Sequence, residues 1–115
     1  MGRKIFIVED EPVVAMCLED ILLDFGCSII GPVGRLSEGL VIAEAVEADA
    51  AILDVNLGGE RSDAIASVLR ARGIPYILAT GYGATANTGE HIVPLVSKPY
   101  CEEQLRSALE SVIAL

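Results

Sequence analysis

The sequence predicts an α/β fold, a doubly wound five-stranded parallel sheet in the strand order 2-1-3-4-5. Short apolar runs alternate with segments of helical periodicity along the whole chain, the pattern of repeated βαβ units joined by right-handed crossovers. The third run, residues 50–53, is apolar at every position, as expected for a strand covered on both faces. Pro32 and Pro94 fall inside the second and fifth runs. A strand proline is tolerated mainly at a sheet edge, so the second and fifth strands are the edges and the third lies inside.

The first strand is Lys4-Ile5-Phe6-Ile7-Val8. Pro12 suits a first helical position and Gly26 a stop, and between them Val14, Leu18, Ile21, Leu22 and Phe25 form one helical stripe. Residues 28–33 read as the second strand. Ser37 is expected to cap the second helix, with Leu36 and Val41 as a hydrophobic staple and Leu40, Ala43 and Val46 inside. A third helix spans about 62–72, with Ile65, Val68 and Leu69 inward and Gly73 ending it. The fourth strand covers 75–79 and the fifth 92–96. The last helix, about 101–113, uses Leu105, Leu109 and Val112, and Glu102 and Glu103 favour its positive N-terminal end. Residues 81–91 carry three glycines and no apolar stripe where a helix is due, so the fourth helix is expected to be short or replaced by a mobile loop.

Composition narrows the function. The chain has 115 residues, of which 52% are hydrophobic, enough for one domain spanning 1–115 with a proper core. Its apolar runs are too short to span a bilayer and no signal peptide is visible, so a cytoplasmic protein with no membrane contact is expected. Net charge is −9 and the basic residues do not cluster, which argues against direct nucleic-acid binding and for a protein partner. Cys17, Cys27 and Cys101 are widely spaced without a CxxC pair, the usage of reduced thiols.

Chemistry gathers at the strand ends. Asp54 closes the third strand before the Gly-rich turn Asn56-Leu57-Gly58-Gly59, and Glu9 and Asp10 close the first. Thr80 ends the fourth strand and Lys98 follows the fifth. Parallel strands in this order bring all five side chains to one edge, in the crevice where such sheets bind ligands. Three crowded carboxylates repel one another, and a bound cation keeps them ionised. An acid pocket with one Lys and one Thr beside it is equipped to hold a metal and a phosphoryl group.

Glu9-Asp10, Asp54, Thr80 and Lys98-Pro99, in this order on these strand ends, resemble the receiver domain of two-component response regulators, a flavodoxin-like fold, over essentially the whole chain. The resemblance implies that Asp54 accepts a phosphoryl group from a histidine kinase. It also implies that Glu9, Asp10, Asp54 and the backbone carbonyl of Asn56 hold Mg²⁺, that Thr80 and Lys98 contact the phosphoryl group, and that the Lys98–Pro99 peptide is cis. Catalysis beyond self-catalysed phosphoryl transfer and autodephosphorylation is not expected, so the chain is not read as an enzyme.

Leu78-Ala79-Thr80-Gly81-Tyr82-Gly83 is similar to the subclass named for its Phe-Ala-Thr-Gly-(Gly/Tyr) motif, with Leu78 in place of Phe. That likeness implies a kinase of the HWE or closely related type. Leu95 stands where typical receivers carry a switch aromatic, so the switch is expected in residues 81–91, where Tyr82 either covers the pocket or reports phosphorylation. A downstream partner is then expected on the face of that loop, the fifth strand and the last helix. His91 is read as solvent-exposed. A flavin protein is disfavoured because no Ser/Thr-rich phosphate loop follows the first strand and the chain has no Trp. A haloacid-type phosphatase needs Asp-x-Asp, whereas this chain has Asp54-Val55-Asn56. A degenerate receiver serving as a non-phosphorylated interaction module, and a phosphate sink, stay as alternatives.

Overall fold

The computed structural model describes residues 2–80, 95–98 and 100–113. In chain order the elements are β1 (Lys4–Val8), α1 (Pro12–Asp24), β2 (Ser28–Val33), α2 (Leu36–Ala45), β3 (Ala50–Asp54), β4 (Asn56–Leu57), β5 (Glu60–Arg61), α3 (Asp63–Ala71), β6 (Tyr76–Thr80), β7 (Leu95–Ser97) and α4 (Glu102–Glu110). The main sheet is parallel throughout in the order β2-β1-β3-β6-β7. Setting aside the short hairpin β4–β5, this is the expected 2-1-3-4-5 order, with β2 and β7 at the edges.

Side chains on a strand alternate between faces, and both faces here are covered. Phe6, Val8, Ala51, Leu53 and Leu78 pack with Ala43, Ile65 and Leu69 of α2 and α3. Ile5, Ile7, Ala50, Ile52, Ile77 and Val96 pack with Leu18, Leu22, Leu105 and Leu109 of α1 and α4. The apolar strand runs exist because neither face meets water. Arg106 in the middle of α4 stacks over the ring of Phe25, the C-cap of α1, at 4.3 Å, tying the two helices together.

Edge strand β2 carries the irregularity its composition foretells. Its register with β1 shifts between Phe6 and Val8, where Gly31–Pro32 is a cis peptide and Gly31 has φ +102°. A Cβ at Gly31 would meet the Ile7 carbonyl oxygen at 2.8 Å, so only glycine fits there. Past the shift, the Glu9 amide donates to the Val33 carbonyl at 2.9 Å, which fixes the backbone at the first acid.

The start of α2 differs from expectation. Arg35 occupies the N-cap in extended conformation with no side-chain cap, and Ser37 lies exposed within the first turn. Val41 is 71% exposed, so it forms no staple with Leu36. The helix is rotated to bring Gly39 and Ala43 against α3, where a Cβ on Gly39 would stand 2.5 Å from Ile65 Cδ1. That close approach outweighs a cap worth about 1 kcal/mol. Leu40, Ala43 and Val46 do face the core.

The hairpin β4–β5 occupies a segment expected only to turn. Gly58 and Gly59 form its two-residue connection with φ +57° and +96°, the geometry of a type I′ turn that favours glycine at both positions. The segment 81–91 with Tyr82 and His91, as well as Pro94 and Pro99, at which the cis peptide is expected, lie outside the described residues, as does the side chain of Leu95.

Candidate functional site

The carboxyl edge of the sheet brings the five expected strand-end residues together. Glu9 follows β1 and is 3% exposed, Asp54 ends β3 at 5%, and Thr80 ends β6 at 2%. Such burial of polar groups is costly unless each is partnered, and no buried side-chain polar atom among the described residues lacks a hydrogen bond. Lys98 supplies the main partner. Its Nζ donates to Glu9 Oε1 at 3.0 Å and Oε2 at 3.2 Å, and to Asp54 Oδ2 at 2.9 Å.

Backbone register holds these groups in place. The Lys98 amide donates to the Thr80 carbonyl at 2.9 Å, continuing the β6–β7 ladder one residue past its end. The Val55 amide does the same for β3 by donating to Ala79 at 2.9 Å. Beyond Val55 the hairpin turns back toward the site, and the Asn56 amide donates to Asp54 Oδ1 at 3.2 Å. Asn56 Oδ1 in turn accepts from the Gly59 amide at 2.8 Å, bracing the turn. Ser62 is buried before α3 and its amide donates to the Val55 carbonyl at 3.0 Å.

Electrostatics follow from burial. Desolvation, aided by the Asp54 charge, pushes the Glu9 carboxyl up to about 7 even though Lys98 and the Glu11 amide pull it down. The Lys98 ammonium is raised: burial opposes its charge, but Asp54 and Glu9 more than offset that. Two acids facing one lysine leave one negative charge uncompensated when both are ionised.

Glu9, Asp10 and Asp54 each offer an oxygen, and the three atoms lie within 4.8 Å of one another. Asp10 is the more open of the three, its Oδ2 facing the turn 3.7 Å from where a Cβ on Gly58 would stand. An all-oxygen set of carboxylates suits a hard divalent cation such as Mg²⁺, which also keeps water ligands. The residues therefore fit the ion that the sequence implied. Asn56 contributes an exposed position beside Asp54.

Two features of the site were not foreseen. Glu9 Oε2 accepts from the Glu11 amide at 3.2 Å, so the first acid is a hub for local backbone as well as for Lys98. Tyr100, two residues past Lys98, packs at the start of α4 beside the acids. Its signal in the sequence is the aromatic directly after Lys98-Pro99.

The fold and the site have relatives. Residues 5–110 match the family model of the response regulator receiver domain. The phyllosphere-induced regulator PhyR of Methylorubrum extorquens is 34% identical over 105 residues, covering 87% of this chain but 39% of the regulator's own length. The chain thus spans well under half of that relative. The solution structure of SdrG from Sphingomonas melonis Fr1 superposes with a TM-score of 0.86 at 39% identity, over 96% of both chains. At 23% identity the fold alone is shared with the receiver domain of a Pseudomonas aeruginosa sensor histidine kinase, a structure with a magnesium ion in its active-site cleft (TM-score 0.85, 100% of both chains). Matched over nearly all of its length, this chain belongs to the response regulator receiver domain family.

Proposed function

We propose that the chain is a phosphoacceptor receiver of a two-component system, modified on Asp54 by a histidine kinase in a Mg²⁺-dependent reaction. The observation that carries this reading is Lys98 Nζ at 2.9 Å from Asp54 and 3.0 Å from Glu9, on the edge that also holds Asp10 and Thr80. In the reaction an Asp54 oxygen forms a bond to phosphorus as the donor's N–P bond breaks, and the freed histidine nitrogen takes up a proton. The Asn56 amide holds Oδ1 of the nucleophile, and Lys98 offers its positive charge to the phosphoryl oxygens. Asp10, Asp54 and the Asn56 carbonyl, with Glu9 alongside, would hold Mg²⁺, which would supply charge neutralisation for the transferring group. Thr80 receives a phosphoryl oxygen from the β6 side.

The kinase is proposed to be of the HWE or related type, from the segment Leu78 to Gly83. The downstream partner is proposed on the face of β7, α4 and residues 81–91. Relatives support a protein partner rather than nucleic acid: PhyR of Bartonella quintana, 25% identical, is described as an anti-anti-sigma factor. No described helix is long and apolar enough to cross a membrane, which accords with action in the cytoplasm.

Incubation with acetyl phosphate and Mg²⁺ tests the reading. The parent chain should gain one acid-labile phosphate, and Asp54→Asn, which keeps shape but removes the nucleophile, should gain none. Equal labelling of the variant would refute Asp54 as acceptor, and an unlabelled parent would favour a non-phosphorylated interaction module. SdrG in its BeF3-activated conformation, 40% identical with a TM-score of 0.78, supports the expectation that such a site responds to a phosphoryl mimic.

A further inference from the structure

Six arginines punctuate this acidic chain, and five of them are committed. Arg3 stands 4.0 Å from Asp49, and Arg61 pairs with Asp63. Arg70 donates to Tyr76 and Ser67, Arg72 to the Ala43 and Val46 carbonyls, and Arg106 covers the Phe25 ring. Arg35 is exposed and, among the described residues, has no ion pair, hydrogen bond or ring contact.

This free guanidinium lines a cavity of about 440 Å³ between the β2–α2 connection and the hairpin β4–β5. Leu57 is buried and Leu36 and Leu40 are half-buried in the lining, so the floor is aliphatic. The volume is in the range of clefts that bind ligands. Gly34 and Gly58 form the wall toward the acid pocket: a Cβ on Gly34 would stand 3.4 Å from Asp10 Cα, and one on Gly58 3.7 Å from Asp10 Oδ2. The cavity therefore belongs to the same edge of the molecule as the acids.

It does not end there. Ser37 lines it and also a second recess of about 390 Å³, bounded by Glu38, Val41 and Ile42. Val41, 71% exposed, leaves an apolar side chain without cover at that end. Two aliphatic recesses along one helix suit an extended peptide, whose alternate side chains point the same way, better than a compact small molecule. Charge sets the direction. Arg35 attracts a carboxylate to its side, and the exposed Glu60 on the hairpin side repels one.

We propose that the groove along α2 is a docking site for a protein partner that presents an acidic residue next to alternating aliphatic side chains, the carboxylate on Arg35 and the aliphatic groups in the two recesses. The helices α2 and α4 cover opposite faces of the sheet, so this surface is separate from the one proposed for the downstream partner. Docking here needs no chemistry at Asp54.

NMR titration of the full chain with acetyl-Glu-Leu-Ser-Leu-amide tests the site, with acetyl-Lys-Leu-Ser-Leu-amide as the charge-reversed control. The Glu peptide should move the Arg35 guanidinium signal and the methyl signals of Leu40, Val41 and Leu57, and should bind more tightly than the Lys peptide. Arg35→Gln should weaken the Glu peptide about two- to fivefold, the range of an exposed ion pair, and Glu60→Gln should tighten it. Both variants should keep the parental melting temperature and the parental uptake of phosphate from acetyl phosphate. Equal binding of the two peptides, shifts confined to other surfaces, or an Arg35→Gln chain that binds like the parent would overturn the inference. So would hexanoate binding as tightly as the Glu peptide, which would assign the cavity to a small acid. A parent that takes no phosphate yet binds the Glu peptide upholds the docking site and refutes only the phosphoacceptor reading.

Discussion

Asp10 and Glu9 are neighbours in sequence with different prospects. Glu9 is occupied by Lys98 and the Glu11 amide, whereas Asp10 is more open and faces the Gly58 turn. Asp10→Ala should therefore weaken Mg²⁺ binding more than Glu9→Ala, measured by titration calorimetry at neutral pH. Equal losses would show that the bond to Lys98 does not keep Glu9 from the ion. Lys98 itself holds two buried acids with one ammonium, so its removal leaves uncompensated buried charge, the costlier half of any ion-pair deletion.

At the scale of elements, the seam between α2 and α3 is the tightest point described. Gly39 sits 2.5 Å, counted from a virtual Cβ, from Cδ1 of the fully buried Ile65. Alanine would gain about 1 kcal/mol in helix propensity but must displace Ile65, and overpacking costs about 1–3 kcal/mol. Gly39→Ala should come out destabilising by roughly 1 kcal/mol in urea unfolding. Ile65→Val removes the clashing methyl, so Gly39→Ala in that background should become neutral or stabilising. Additive effects of the two changes would show that the helices part to relieve the contact.

For the molecule as a whole, the acid pocket makes stability depend on pH and metal. Glu9 rises from an ordinary value of 4.5 to about 7 in the folded state. Between those values the native state holds a proton that the unfolded chain has lost. Its stabilisation is complete below 4.5 and is lost as pH climbs through about 7. The proposed Mg²⁺ would bind only the folded site and should restore that loss, contributing about 2.7 kcal/mol at a hundredfold excess over its dissociation constant. Thermal melts should show a larger Mg²⁺ effect at pH 8 than at pH 5. An effect independent of pH would mean that no pocket carboxylate takes up a proton on folding.

Strand runs, helix stripes and edge prolines were enough to read the sheet order and both covered faces, because burial on two sides leaves a periodic mark on every strand. The proximity of Glu9, Asp10, Asp54, Thr80 and Lys98 was readable for the same reason, since each stands where a strand ends. The rotation of α2 was not, because Ser37 and Val41 obey local capping rules, whereas Gly39 answers to Ile65, a contact across 26 residues of chain. The hairpin β4–β5 escaped notice because strands of two residues are too short to show alternation. The packing of Tyr100 on the α1 and α4 side of the sheet, and the sharing of Lys98 between Glu9 and Asp54, were set by the assembled layers. Periodicity states which side a residue faces; only the assembled layers decide what it meets there.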